Sequence, residues 1–341
     1  VLVSEIGEFG LIQLLAREFG LEYPPAPGAP QPGLQIGLGD DALVTERRDG
    51  SLIWTTDTMV ADVHFLLGQT AWQDVGWKAL VTNLSDIAAM GGTPHMALIT
   101  LCLPSDFEVD DAIALYHGLR ECAEAFGVTL GGGDIVGSPV FAITIALSGW
   151  AEPGRDGSAA VLTRSAAKPG DVVAVSGCIG DAEAGLLLAR RGSAFETAAE
   201  QYLRAAMDRP QPRVVLGLEA VRAGLRCGID TSDGLLQDLG HVADASRVGI
   251  RVEAVRIPTS DALREVFPAE AAGLAISGGQ DYELVLVGPR AAVEALIDAS
   301  DTPLTEIGDI YKSDSPHVAV VDEAGREIPL AHGGWDHFKQ T

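Results

Sequence analysis

Leu80-Val81-Thr82-Asn83-Leu84-Ser85-Asp86-Ile87-Ala88-Ala89-Met90-Gly91-Gly92 reads as the last turns of a helix and its stop. Leu80, Leu84, Ile87 and Ala88 share one helical face, while Lys78, Thr82 and Asp86 run four apart along another. Gly91 and Gly92 tolerate positive φ just past the last turn. The spacing predicts one amphipathic helix from Trp72 to Met90 whose polar face is solvated. Asn83, Ser85 and Asp86 are weak interior helix formers, because their short side chains compete for backbone groups. A use for them other than propensity therefore has to be sought elsewhere in the chain.

The 341 residues are 47% hydrophobic and 21% charged, the composition of folded globular material long enough for two domains. Apolar runs stop short of the roughly 20 residues that span a bilayer, and no basic start precedes an apolar block, so a cytoplasmic protein is expected. Cys102, Cys122, Cys178 and Cys227 are scattered and form no C-x-x-C pair, which suits buried reduced thiols. The formal charge of -25 argues against nucleic acid and anionic membrane as partners. An acidic protein that binds polyphosphate must place divalent cations between its carboxylates and the phosphates.

Around the opening helix, strands and helices alternate. Ser4 is placed to cap a first helix carrying Leu11, Ile12, Leu15 and Phe19, and the prolines from Pro24 to Pro32 mark an irregular loop. Ala42–Thr45 and Leu52–Asp57 read as a hairpin turning at Asp49-Gly50, which would bring Asp40 or Asp41 close to Asp57. Strand Met96–Leu103 stops at Pro104, a helix carrying Tyr116 covers Asp106 to Phe126, and strand Val128–Leu130 runs into Gly131-Gly132-Gly133-Asp134. That glycine run is not a Walker A loop, because no Gly-Lys-Ser/Thr follows. After a strand from Val140 to Gly149, Glu152–Gly157 is the best linker, giving domains 1–150 and 151–341.

In the second half, Lys168-Pro169-Gly170-Asp171 turns into strand Val172–Ser176, and Gly177–Asp181 suits close strand-to-helix packing. Asp230-Thr231-Ser232-Asp233-Gly234 enters another helix, with Ser232 or Asp233 available as its N-cap. Ser277-Gly278-Gly279-Gln280-Asp281 precedes a further strand.

Asp40, Asp41, Asp57, Asp86, Asp134, Asp230 and Asp233 thus fall at strand ends, glycine loops or the polar helix face. Oxygen donors without a Cys or His cluster suit Mg²⁺ better than zinc. Ions held in this way suit phosphoryl transfer, which depends on positioning and charge neutralisation.

Gly39-Asp40-Asp41-Ala42, Thr55-Thr56-Asp57, Val63-His64-Phe65, Asn83–Gly91, Gly132-Gly133-Asp134, Asp230–Leu235, Ser277–Leu284 and Trp335-Asp336-His337-Phe338 follow one another in an order and spacing that resembles the thiamine-monophosphate kinase family. The resemblance covers nearly the whole chain. Several of its motifs are shared with the wider PurM-like superfamily of ATP-using synthetases, and His64-Phe65 with the Trp-Asp-His-Phe tail narrows it. It implies ATP-dependent phosphorylation of thiamine monophosphate to the diphosphate by direct in-line transfer, with Asp40, Asp57, Asp86, Asp134 and Asp233 catalytic. It implies Mg²⁺ on Asp40, Thr55 or Thr56, Asp57, Asp86, Asp134, Asp230 and Asp233. ATP contacts are implied for Tyr116, Gly133, Asp134, Arg164 and Ser232, and substrate contacts for His64, Gln280 and Trp335.

At Gln280 the family usually has glutamate; glutamine keeps the length and loses the charge, and Asp281 beside it is a candidate to compensate. Two other readings stay open: a superfamily relative that activates an amide or carbonyl oxygen, and an acidic cation-binding protein without turnover. Interleaved elements with antiparallel hairpins predict an α+β fold. The resemblance adds a two-domain architecture, with a ferredoxin-like N-terminal domain whose sheet pairs across a homodimer and a second α/β domain.

Overall fold

The computed structural model describes residues 1–18, 34–36, 44–45, 50–154 and 158–328. They fall into two units, Val1–Leu84 with Pro94–Trp150, and Ser85–Thr93 with Ala151–Thr341. The chain starts with α1 (Val3–Glu18), which is kinked at Gly7, at φ 69°; Ser4, expected as its cap, lies inside the helix. β1 (Leu34–Ile36) and β2 (Val44–Thr45) pair antiparallel. Then come β3 (Ser51–Val60), α2 (Trp72–Ala89), β4 (Thr93–Leu103), α3 (Val109–Phe126), β5 (Thr129–Gly137) and β6 (Ala142–Pro153).

The sheet of the first unit runs β3-β6-β4-β5. Period-two alternation decides its faces. Ile143, Ile145 and Leu147 of β6 are buried with Ile99 and Leu101 of β4, whereas Leu98, Val136, Leu52 and Trp54 are exposed. α2 and α3 approach each other at two glycines. A Cβ on Gly76 would lie 2.0 Å from the Leu115 carbonyl oxygen, and one on Gly118 would lie 1.7 Å from that of Gln73.

Two expectations change here. β2 pairs with β1 and β3 with β6; residues 42, 43 and 46–49 of the hairpin expected to turn at Asp49-Gly50 lie outside the described residues. The run Gly131–Asp134 does not follow a strand but lies inside β5, which pairs in parallel with β4 across a bulge opposite Ala97 and Leu98. A Cβ on Gly133 would lie 1.6 Å from the Ile99 carbonyl oxygen, so this glycine serves close strand packing. The polar face of α2 is not solvated: Lys78, Thr82, Asn83 and Ser85 are all buried, with Asn83 and Ser85 at 0% exposure. Gly91 ends the helix at φ 67°, as its position suggests.

The second unit adds β7 (Ala159–Ala160), which pairs with the end of β6. It continues with β8 (Val172–Ser176), α4 (Asp181–Arg190), α5 (Ala198–Asp208), α6 (Val214–Arg222), β9 (Cys227–Asp230), α7 (Leu235–Ser246) and β10 (Gly249–Glu253). α8 (Asp261–Val266), α9 (Ala271–Ser277), β11 (Leu284–Gly288), α10 (Arg290–Ala299), β12 (Leu304–Tyr311) and β13 (His317–Val321) complete it.

Its six-stranded sheet runs β13-β10-β12-β8-β11-β9, with β10 and β13 parallel and the other pairs antiparallel. β8 and β11 are buried along their whole length, which is why they read as continuous apolar runs rather than alternating ones. Leu235, Leu239 and Val242 of α7 join Val175, Ile229 and Val285 in its core. The whole is a mixed α+β fold. Among the described residues no helix is long and apolar enough to cross a membrane.

Candidate functional site

The acidic residues of the second unit converge on the end of β9. Ser85 Oγ donates to Asp230 Oδ2 at 2.7 Å, and both side chains are buried. Burial lifts the Asp230 carboxyl to about 6; the nearby charge of Asp86 adds to that rise, while the Ser85 hydroxyl and the Arg164 guanidinium oppose it. Asp86 is half-buried and Arg164 exposed.

The loop from Asp230 to Gly234 is held from two sides. Neither Ser232 nor Asp233 caps α7; Gly234 occupies that position at φ 115° and no side chain caps the helix. Instead Asp238, one turn into α7, accepts the Asp233 N–H at 3.3 Å. Burial, followed by the charges of Asp230 and Asp233, lifts the Asp238 carboxyl to about 8. Donor atoms of Asp233, Asp238 and His241 lie within 4.8 Å of one another. On the other side, the Gln280 N–H donates to the Ser232 carbonyl at 2.8 Å and the Tyr282 N–H to the Thr231 carbonyl at 2.9 Å.

Gln280 and Tyr282 stand at φ 67° and 53°, which non-glycine residues seldom adopt. The flanking carboxylates fix this loop. Asp281 accepts the N–H groups of Gly180 and Ala182 at 2.7 and 3.1 Å, at the start of α4. Glu283 is buried, paired with Nε and Nη2 of Arg213 and hydrogen-bonded by Ser176 Oγ. Asp281 is therefore committed to the N-terminus of α4 and does not stand in for a charge at position 280.

In the first unit, Asn83 Oδ1 accepts the Asp57 N–H at 3.1 Å. His64 Nδ1 accepts the Val60 N–H at 3.0 Å, which puts the proton of the neutral ring on Nε2. Tyr116 lies on α3, its hydroxyl lifted to about 12 by burial. Alternation puts Thr55 and Asp57 with buried Met59 on the inner sheet face and Thr56 on the outer face, with Thr58, whose hydroxyl bonds that of Thr144. Asp134 is exposed, pairs with Thr100 and accepts the Ile135 N–H at 3.0 Å. β3 and β5 are the two edges of this sheet, three strand spacings or about 14 Å apart. Asp57 and Asp134 therefore do not form one carboxylate pair. Asp40, Asp41 and Trp335 lie outside the described residues.

Asp238 and His241 join the acidic loop of the second unit without having been singled out, while Asn83 and Ser85, marked in the sequence only as weak helix formers, bond Asp57 in the first unit and Asp230 in the second respectively. Asp238 has a legible signal: it sits on the apolar stripe of α7 with Leu235 and Val242, where a charge is out of place. The oxygen donors, and carboxyls lifted first by burial and then by one another's charge, fit a hard divalent cation, which would relieve their repulsion.

Residues 39–151 match the family model of the AIR synthase related protein N-terminal domain, and 168–321 match that of the C-terminal domain. The chain is 37% identical over 313 residues to thiamine-monophosphate kinase of Escherichia coli K12, covering 89% of this chain and 92% of that one. The crystal structure of thiamine-monophosphate kinase from Stenotrophomonas maltophilia superposes with a TM-score of 0.78 at 35% identity, over 92% of this chain and 96% of that one. The structure of AaThiL complexed with AMPPCP and TMP gives 0.76 at 31% identity, over 98% of each chain. With two AIR-synthase-type domains and this identity along almost its full length, the chain belongs to the thiamine-monophosphate kinase family.

Proposed function

We propose that the chain transfers the γ-phosphoryl group of ATP directly to the phosphate of thiamine monophosphate, giving thiamine diphosphate and ADP. The observation that carries this reading is the acidic loop at the end of β9, where Asp230, Asp233 and Asp238 with Asp86 stand in a family member. Asp86, Asp230 and Asp233 would hold Mg²⁺ in the second unit, and Thr55 or Thr56, Asp57 and Asp134 are the ligands assigned to the first, with Asp40. Mg²⁺ supplies charge neutralisation of the polyphosphate and polarises the phosphoryl group under attack.

The protein's own groups bind and orient. Arg164 and the Ser232 loop are assigned to the nucleotide with Tyr116 and Gly133, and His64, Gln280 and Trp335 to thiamine monophosphate. The acceptor phosphate needs no strong general base, since the second pKa of a phosphate monoester is about 6 and its oxygens are already charged at neutral pH. The rigid hydrogen bonding of the 230–234 and 280–283 loops supports a preorganised site.

The exposed face bearing Trp54, Leu98 and Val136 supports a homodimer formed through the first unit's sheet. Four free cysteines without a clustered pair support a cytoplasmic setting. The test is incubation with ATP, Mg²⁺ and thiamine monophosphate, with thiamine diphosphate as the expected product. ATP consumption without thiamine diphosphate would overturn the reading.

A further inference from the structure

Ser85 is an anomaly in α2. A serine inside a helix ordinarily faces solvent or bonds the carbonyl one turn back. Here it is fully buried and its hydroxyl points to another element of the same unit, donating to Asp230 Oδ2 at 2.7 Å. A hydroxyl gives only one proton, and Asp230 Oδ2 receives it. A carboxylate that accepts a hydrogen bond on one oxygen is held both in rotamer and as the charged acceptor, with the other oxygen left for a ligand. Asp230 ends β9, whose backbone is fixed by pairing with β11, and its carboxyl also bonds its own backbone N–H, so the Ser85 contact adds a fixed point from another element.

We infer that Ser85 is a positioning residue for the metal site: through its hydrogen bond it presets the Asp230 carboxylate to receive a divalent cation. Nothing in the helix itself requires a hydroxyl at this place, since alanine is the better helix former. Ser85 touches neither substrate nor cation; it acts through Asp230. The inference rests on Asp230 being a cation ligand.

The test uses the full chain and Mn²⁺ as the probe, with free ion followed by electron paramagnetic resonance in wild type, Ser85→Ala, Asp230→Asn and the double variant. Ser85→Ala should weaken Mn²⁺ binding about tenfold, the scale of a hydrogen bond to a charged group. Asp230→Asn should weaken it as much or more, and Ser85→Ala should add nothing in the Asp230→Asn background. Thermal melting of each apo variant shows that it is folded, and Ser85→Ala should melt as a single transition. Wild-type Mn²⁺ affinity in Ser85→Ala, with Asp230→Asn weakened, overturns the role of Ser85 and leaves the metal site standing. Wild-type affinity in both overturns Asp230 as a ligand and the inference with it. A double variant weakened by the two factors multiplied also overturns it, since Ser85 would then act independently of Asp230.

Discussion

The carboxamide of Asn83, inside α2, accepts the backbone N–H of Asp57 on the edge strand β3 at 3.1 Å. The same side chain donates to the Ala79 carbonyl at 3.2 Å and to Thr82 Oγ1 at 3.1 Å, and it is fully buried. Asn83→Ala removes these three hydrogen bonds of a buried side chain, each worth about 0.5–1.5 kcal/mol net. The variant should lose stability on that scale, read from its urea midpoint at unchanged slope.

Asp86→Asn should leave the fold intact and abolish turnover. Asp86 is half-buried and its charge raises the Asp230 carboxyl, so the folded state loses a repulsion when it is neutralised. A charged group that stabilises a phosphoryl-transfer transition state is worth at least about a hundredfold in rate. Circular-dichroism melting should match or exceed that of wild type, while thiamine diphosphate formation falls by that factor. Wild-type rate at saturating Mg²⁺ would remove Asp86 from the catalytic set.

Helices and strands with strong stops are legible residue by residue. Trp72–Ala89 shows its periodicity and its glycine stop, and Val172–Ser176 its apolar run after Lys168-Pro169-Gly170-Asp171. Pairing is not legible, because nothing local in Ser51–Val60 shows that β3 lies beside β6, which is distant in the chain. Nor does a helical wheel show what covers a face: α2 is surrounded on nearly all sides, so Thr82, Asn83 and Ser85 are buried polar groups that must be hydrogen-bonded. That burial gives mediocre helix formers their partners, Asn83 bonding the Asp57 N–H within the first unit and Ser85 bonding Asp230 within the second. The acidic loop at Asp230 and Asp233 was visible as a motif, but its support by Asp238 depends on a side chain reaching back from α7, which spacing alone does not show.

Gln280→Glu should tighten thiamine monophosphate binding. The loop is pinned at φ 67° by the backbone bond to Ser232, and Asp281 is occupied by the N–H groups of Gly180 and Ala182, so Asp281 does not replace the missing charge. Restoring it opposite a cationic ring should lower KM for thiamine monophosphate about tenfold or more at nearly unchanged kcat. The steady-state split between KM and kcat checks this. An unchanged KM would take position 280 out of substrate binding.

Asp238 makes stability depend on pH in a sense opposite to that of a salt-bridged carboxylate. Its folded-state pKa, about 8, lies above the ordinary 3.8 because it is buried beside Asp230 and Asp233. The folded chain therefore binds more protons than the unfolded one between those values, and the contribution, fully present below about pH 4, is lost as pH rises toward 8. In EDTA, melting temperature should fall over that window. Asp238→Asn copies the protonated carboxyl: its oxygen still accepts the Asp233 N–H and it carries no charge. The variant should melt higher than wild type at pH 8 in EDTA, and the gap should narrow as pH falls and close only near pH 4. Added Mg²⁺ should raise the wild-type melting temperature most at the alkaline end, where Asp238 must ionise. A gap that is independent of pH would place the effect in packing rather than in charge.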